Sequence, residues 1–227
     1  RLTDIDGNEL IDFCLGDTGA MTGHSPGPTV AAASQRLAHG ITTMLPSEDA
    51  LPLGREMSRR FGLGHWQFSL SASDANRFSI RLCREVTGRD KVLVFNHCYH
   101  GSVDETVARL VDGEPSFRVG NIGPPVPITE TTRVVEFNDL EGLERELAHG
   151  DVACVLAEPA LTNIGIVLPE PGFLDALRRL TREQGTLLII DETHTFCCGP
   201  GGYTAAHGLE PDLITIGKPI AGGIPTG

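Results

Sequence analysis

The chain has 227 residues, 40% of them hydrophobic and 21% charged, with a formal net charge of −12. Those proportions belong to a globular protein with room for one large or two small domains. The acidic balance, with no compensating run of Lys or Arg, argues against nucleic acid and anionic membrane surfaces as partners, and no apolar run nears the roughly 18 residues needed to cross a bilayer.

In chain order, Thr3 to Phe13 reads as a small hairpin around Asp6-Gly7, a pair that tolerates the positive φ of a tight turn. After the turn near Ser25-Pro26-Gly27-Pro28, a helix is expected from about Thr29 to Gly40, and a second from Ser47 to near Gly62. The pattern then alternates. Short strands are predicted at Trp66 to Leu70, Lys91 to Phe95, Arg133 to Phe137, Val152 to Ala157, Thr186 to Ile190 and Leu213 to Ile216. Helices are predicted at Ser73 to Val86, Asp139 to His149 and Gly172 to Gln184, with Glu114 to Thr131 as a long Pro/Gly-rich loop. Strands apolar throughout are buried on both faces, the habit of a parallel sheet between helices, so the fold class is α/β. Six cysteines are too few for a disulfide scaffold, and Cys197-Cys198 are adjacent, so reduced thiols in a cytoplasmic protein are expected. No signal or transit segment is visible. The chain starts at Arg1 and stops at Gly227 within a Gly/Pro-rich passage, so it reads as the interior of a longer protein.

In such sheets ligands bind beyond the carboxyl ends of the strands, and four strand ends carry chemistry. At Ser71-Ala72-Ser73-Asp74, small residues and a helix start suit an anion such as phosphate; an ordinary N-cap by Ser73 would account for the same residues. At Tyr99-His100-Gly101, an aromatic beside a glycine could stack on a flat ligand or simply lie at the surface. At Asp191-Glu192-Thr193-His194, a carboxylate ends a very apolar strand, where a cation such as a protonated pyridine nitrogen would offset its burial. The same four residues spell the acidic box of DExH-type ATPases. That machine also needs a phosphate loop, and Gly217-Lys218 is followed by Pro219 with no glycine five residues before it. At Gly217-Lys218-Pro219, a lysine ends a buried strand, where partial burial would make its amine a usable nucleophile for an aldehyde; the alternative is a snorkelling lysine at the sheet edge.

The Asp-Glu box, 27 residues from Asp191 to Lys218, and then Gly222-Gly223 together resemble the class III (subgroup II) aminotransferases, nearest their glutamate-1-semialdehyde aminomutase-like branch, over essentially the whole chain. The resemblance implies a type I pyridoxal-phosphate fold with a mostly parallel, seven-stranded-type sheet, and pyridoxal 5'-phosphate as cofactor. It places Lys218 where the family has its cofactor-carrying and proton-moving lysine, and Asp191 at the partner of the pyridine nitrogen. Ser71, Ala72 and Ser73 fall at the phosphate turn, which commonly reads Ser-Gly-Thr. Tyr99 and His100 match the family's Tyr-His-Gly, and Glu158 and Asn163 match a segment whose Asn reaches the ring's phenolic oxygen. Thr193 replaces the usual Val behind the ring.

By the same resemblance, residues 1–45 form an N-terminal hairpin and helix segment, 46–227 the cofactor-binding large domain, and a small carboxyl-terminal domain would lie beyond. A homodimer with a shared active site is implied, with a small amino donor and an oxo-acid acceptor as substrates. The family's usual Thr-Gly-Phe-Arg after the Asp-Glu box is here Thr195-Phe196-Cys197-Cys198. That altered border tilts the reading towards transamination between two substrates, with intramolecular glutamate-1-semialdehyde aminomutase activity as the alternative.

Overall fold

The structure, a computed structural model, describes residues 1–227. Strands β1 (Leu2–Thr3) and β2 (Glu9–Leu10) make the expected hairpin, with Gly7 at φ +85° and the Asp4 carboxylate accepting from the amides of Asp6 and Asn8. Helices α1 (Gly27–Leu37) and α2 (Ala50–Phe61) follow, the second stopped by Gly62 in the left-handed conformation.

Helix α3 (Ala72–Thr87) buries Asn76, Ile80 and Cys83, spaced four and three residues apart on one face, and ends at left-handed Gly88. The chain continues through β3 (Lys91–Phe95), β4 (Ala108–Val111), β5 (Glu114–Phe117) and a single turn α4 (Ile128–Thr131). Then come β6 (Thr132–Val135), α5 (Leu140–Leu147), β7 (Val152–Ala157), α6 (Phe173–Glu183), β8 (Leu187–Asp191), the short α7 (Gly202–Ala206) and β9 (Leu213–Thr215).

The central sheet has the order β6-β3-β7-β8-β9 and is parallel at every pairing. Helix α3 lies against β7, β8 and β9, while α5 and α6 pack on one another and against β6 and β8. Every residue of β7 is buried, which for side chains alternating across a sheet means both faces are covered. Phe95, Phe137 and Phe173 form an aromatic triangle in this core, with ring centroids 5.0–5.6 Å apart. The strand order reverses between β3 and β7, since β3 leads to β6 on one side and β7 leads to β8 on the other. A crevice therefore opens at their carboxyl ends.

Three expectations change. The sheet has five strands, not seven. Residues 66–70 are extended but form no strand; their sheet-like pairing is confined to Ser69 and Gly227, which exchange backbone bonds of 2.7 and 3.0 Å. Without a neighbouring ladder, alternation alone does not make a strand. The expected loop from Glu114 instead opens with β5, paired antiparallel to β4 across an Asp112-Gly113 turn in which both residues have positive φ. Pro115 concealed it, because proline removes a ladder donor and is tolerated only at an edge.

Candidate active site

Beyond the carboxyl ends of β3, β8 and β9 lies a cleft of about 370 Å³, lined among others by Ser71, Ala72, Ser73, Tyr99, His100, Asp191, Thr193 and Lys218. Its floor is Asp191, only 3% exposed. One carboxylate oxygen accepts from Asn76 Nδ2 at 2.9 Å and from His100 Nδ1 at 2.8 Å; the other accepts from the Thr193 amide at 3.0 Å. Asn76 is oriented in turn by Thr215, whose hydroxyl donates to Asn76 Oδ1 at 2.7 Å. Burial pushes the Asp191 carboxyl up, but the bond and charge of His100 outweigh it and hold the carboxyl below the usual range. Burial likewise opposes a charge on His100, yet Cys98 and Asp191 beside it hold the imidazole well above its ordinary value. The floor is thus a buried carboxylate–imidazolium pair. Thr193 Oγ1 is buried in the same wall without a hydrogen-bond partner.

The start of α3 forms a second wall. The cap is Ser71 and not Ser73 as expected: Ser71 Oγ accepts from the Asp74 amide at 3.1 Å and donates to the Asp74 carboxylate at 2.9 Å. This reciprocal cap occupies the Ser71 hydroxyl and leaves the first-turn amides of Ala72 and Ser73, which have no acceptor within the helix, for an anion. Ser73 Oγ accepts from the Ser102 amide at 3.3 Å. Gly101 permits this approach, because a Cβ there would lie 1.8 Å from Ser73 Oγ and its φ is +81°.

Lys218 follows β9 in a 3₁₀ turn, itself at φ +53°, a region side chains disfavour and functional residues often occupy. Its Nζ is bonded to Asp17 of the N-terminal segment. His194 also lines the cleft; burial first, and then the charge of Lys218, lowers its pKa. Tyr99, 49% exposed, is held at the β3–β7 crevice by its amide, which donates to Glu158 at 3.2 Å. The other Glu158 oxygen takes the amide and hydroxyl of Thr162. Glu158 therefore stands behind the cleft wall, and Asn163 lies exposed in the turn beyond it; neither is brought to the lining.

Glu192 has a different task from its neighbour. Fully buried, it accepts from the Thr195 hydroxyl at 2.6 Å and from the amides of Tyr203 and Thr204 at 3.1 and 2.5 Å, tying the start of α7 to β8. A Cβ on Gly202 would sit 2.7–2.9 Å from that carboxylate. With its oxygens so committed, Glu192 is not free to orient a water, which removes the ATPase alternative. Glu192→Ala orphans three donors and should cost about 3–5 kcal/mol of stability, read as a lower urea midpoint.

The family model for class III aminotransferases matches residues 1–227. The chain belongs to that family. Class III aminotransferases are pyridoxal-phosphate enzymes of fold type I. This member is 37% identical over 231 residues to glutamate-1-semialdehyde 2,1-aminomutase of Methanosphaera stadtmanae, covering 100% of this chain and 54% of that protein. A crystal structure of a glutamate-1-semialdehyde aminomutase from Pseudomonas aeruginosa PAO1 superimposes with a TM-score of 0.95 at 56% identity, covering 99% of this chain and 50% of the other. An omega-transaminase from Sphaerobacter thermophilus does so at 0.90 and 32% identity, covering 99% and 53%. The chain thus spans about half the length of the relatives it matches.

The cleft offers groups that suit a phosphorylated pyridine ring: free amides at a helix start, a buried carboxylate held below its usual range, and a lysine in the same cleft. Sequence reading missed Asn76 and Asp17. The first had a signal, since Asn76 occupies the apolar face of α3 where a polar residue needs a partner. The second had none, because Asp17 and Lys218 are 201 positions apart.

Proposed function

We propose that this chain forms the cofactor-binding part of a pyridoxal-phosphate enzyme acting on glutamate-1-semialdehyde as a 2,1-aminomutase. The observation that carries the cofactor assignment is that Asp191 and Lys218 line one cleft together with the amide-bearing start of α3. The choice of aminomutase rests on the names borne by the relatives above, and it replaces the preference for transamination drawn from the border after Glu192.

When bound, pyridoxal phosphate supplies an electron sink for the charge left on a substrate carbon that loses a proton. The amides of Ala72 and Ser73 would hold its phosphate. Asp191, kept anionic by His100, Asn76 and the Thr193 amide, holds a proton at the ring nitrogen. Tyr99, fixed through Glu158, covers a flat ligand and limits water. Lys218 Nζ would carry the proton between a substrate carbon and the cofactor carbon that takes up the amino group. His194, its pKa lowered, stands beside it as an uncharged polar wall.

A homodimer fits the surface: α1 has no buried residue, and Phe13, Ile41 and Met44 around it are exposed. All six cysteines are free, which suits a reducing cytoplasm, and no helix is long and apolar enough to cross a membrane.

Full-length protein supplied with glutamate-1-semialdehyde should form the isomer with its amino group on the neighbouring carbon, with no oxo acid consumed. A stoichiometric demand for added oxo acid would instead favour transamination, the reading supported by the border at Thr195-Phe196-Cys197-Cys198.

A further inference from the structure

We propose that Asp17 is the counter-ion that holds the Lys218 ammonium whenever that lysine is not joined to cofactor, and that it thereby slows cofactor capture. The inference rests on the pyridoxal-phosphate reading above. The Lys218 side chain is 17% exposed, and the hydrogen bond its Nζ makes is to the carboxylate of Asp17, itself 74% exposed. Asp191 lines the same cleft, but its oxygens are committed to Asn76, His100 and the Thr193 amide. Asp17 is therefore the carboxylate free to meet an ammonium.

The backbone supports a dedicated placement. Leu15, Gly16, Asp17 and Thr18 have φ of +55°, +60°, +54° and +67°, four consecutive left-handed residues of which three carry side chains. L-residues adopt such a run only when the surroundings impose it. Here Asp12 imposes it, accepting from the amides of Cys14 and Leu15 at 2.8 and 2.9 Å, and the Ala20 amide closes the turn on Leu15 O at 2.8 Å. The disfavoured turn delivers the Asp17 carboxylate to Lys218.

Cofactor capture requires Nζ as a free amine. Its ammonium proton must first pass to solvent. A carbon–nitrogen double bond then forms to the aldehyde carbon, and the aldehyde oxygen departs as water with the two remaining amine protons. The Asp17 carboxylate must release Nζ before it can reach the aldehyde carbon, and that release works against capture. Asp17 acts through Lys218 and is a positioning residue.

The test uses full-length protein stripped of cofactor by dialysis against a competing amine, then mixed with pyridoxal phosphate while the absorbance of the lysine adduct is timed. Asp17→Asn should load faster by roughly two- to fivefold, the scale of an exposed ion pair. Asp17→Glu, which restores the charge, should return towards the unmodified rate. Asp17→Ala is run alongside, so that a folding defect peculiar to one replacement does not decide the result. Loading of the neutral variants at or below the unmodified rate overturns the role of Asp17. Failure of the unmodified protein to form any adduct overturns the cofactor reading instead.

Discussion

Lys218→Ala is expected to abolish both the yellow colour of the cofactor-loaded protein and its turnover. Loss of proton transfer alone should lower kcat by about 10²–10⁴-fold, and loss of the covalent tether adds to that. In the unmodified protein, borohydride should bleach the colour and leave the reduced label on the peptide containing Lys218. Retention of both colour and turnover by Lys218→Ala would end the assignment. The alanine should leave stability little changed, because Lys218 pairs with an exposed carboxylate and such pairs contribute about 0–1 kcal/mol.

Asp191 should behave in the opposite way, affecting both activity and fold. A unit charge at about 4 Å from the ring nitrogen, with an effective dielectric near 20, is worth roughly 4 kcal/mol, so Asp191→Asn should lower turnover by about 10³-fold. Asp191→Ala leaves the buried His100 without its counter-charge and should cost about 3–5 kcal/mol in urea unfolding. The pH dependence follows from the directions of the two shifts. The Asp191 carboxyl is lowered from 3.8, so its contribution is complete above that value and is lost as pH falls through the folded-state pKa. The His100 imidazole is raised well above 6.5, so its contribution is complete below 6.5 and is lost as pH rises through its own folded-state pKa. Both are fully present between 3.8 and 6.5. Stability of Asp191→Asn across that window, compared with the unmodified protein, measures the pair. A difference that did not shrink outside the window would refute the charge assignment.

The Glu192 and Asp191 variants together separate two adjacent carboxylates by their surroundings. One faces the cleft; the other faces α7 and is consumed by donors of its own segment. Nothing in the dipeptide itself distinguishes them. What does is the left-handed Gly202 opposite Glu192, which admits the backbone of α7 to its carboxylate.

Local order was readable from the chain where one physical signal dominated. The continuous apolar runs at Lys91 to Phe95 and Val152 to Ala157 are strands with those boundaries, because burial on both faces leaves no room for another period. Gly62 and Gly88 stop their helices as left-handed residues. Competing signals defeated the same reasoning elsewhere. The Asp112-Gly113 turn was hidden beside Pro115, and Trp66 to Leu70 had strand-like alternation but no ladder to join.

The sequence by itself determined the α/β class, the polar residues that end the apolar strands, and the spacing by which Asp191 and Lys218 resemble a cofactor site. These depend on short-range periodicity, which the chain carries in any conformation. Only the tertiary structure decided that Ser71 and not Ser73 caps α3, that Asn76 and His100 hold Asp191, and that Asp17 meets Lys218. Those contacts join residues up to 201 positions apart, and their partners are chosen by how β3, β8, β9 and the first turn of α3 converge at one end of the sheet.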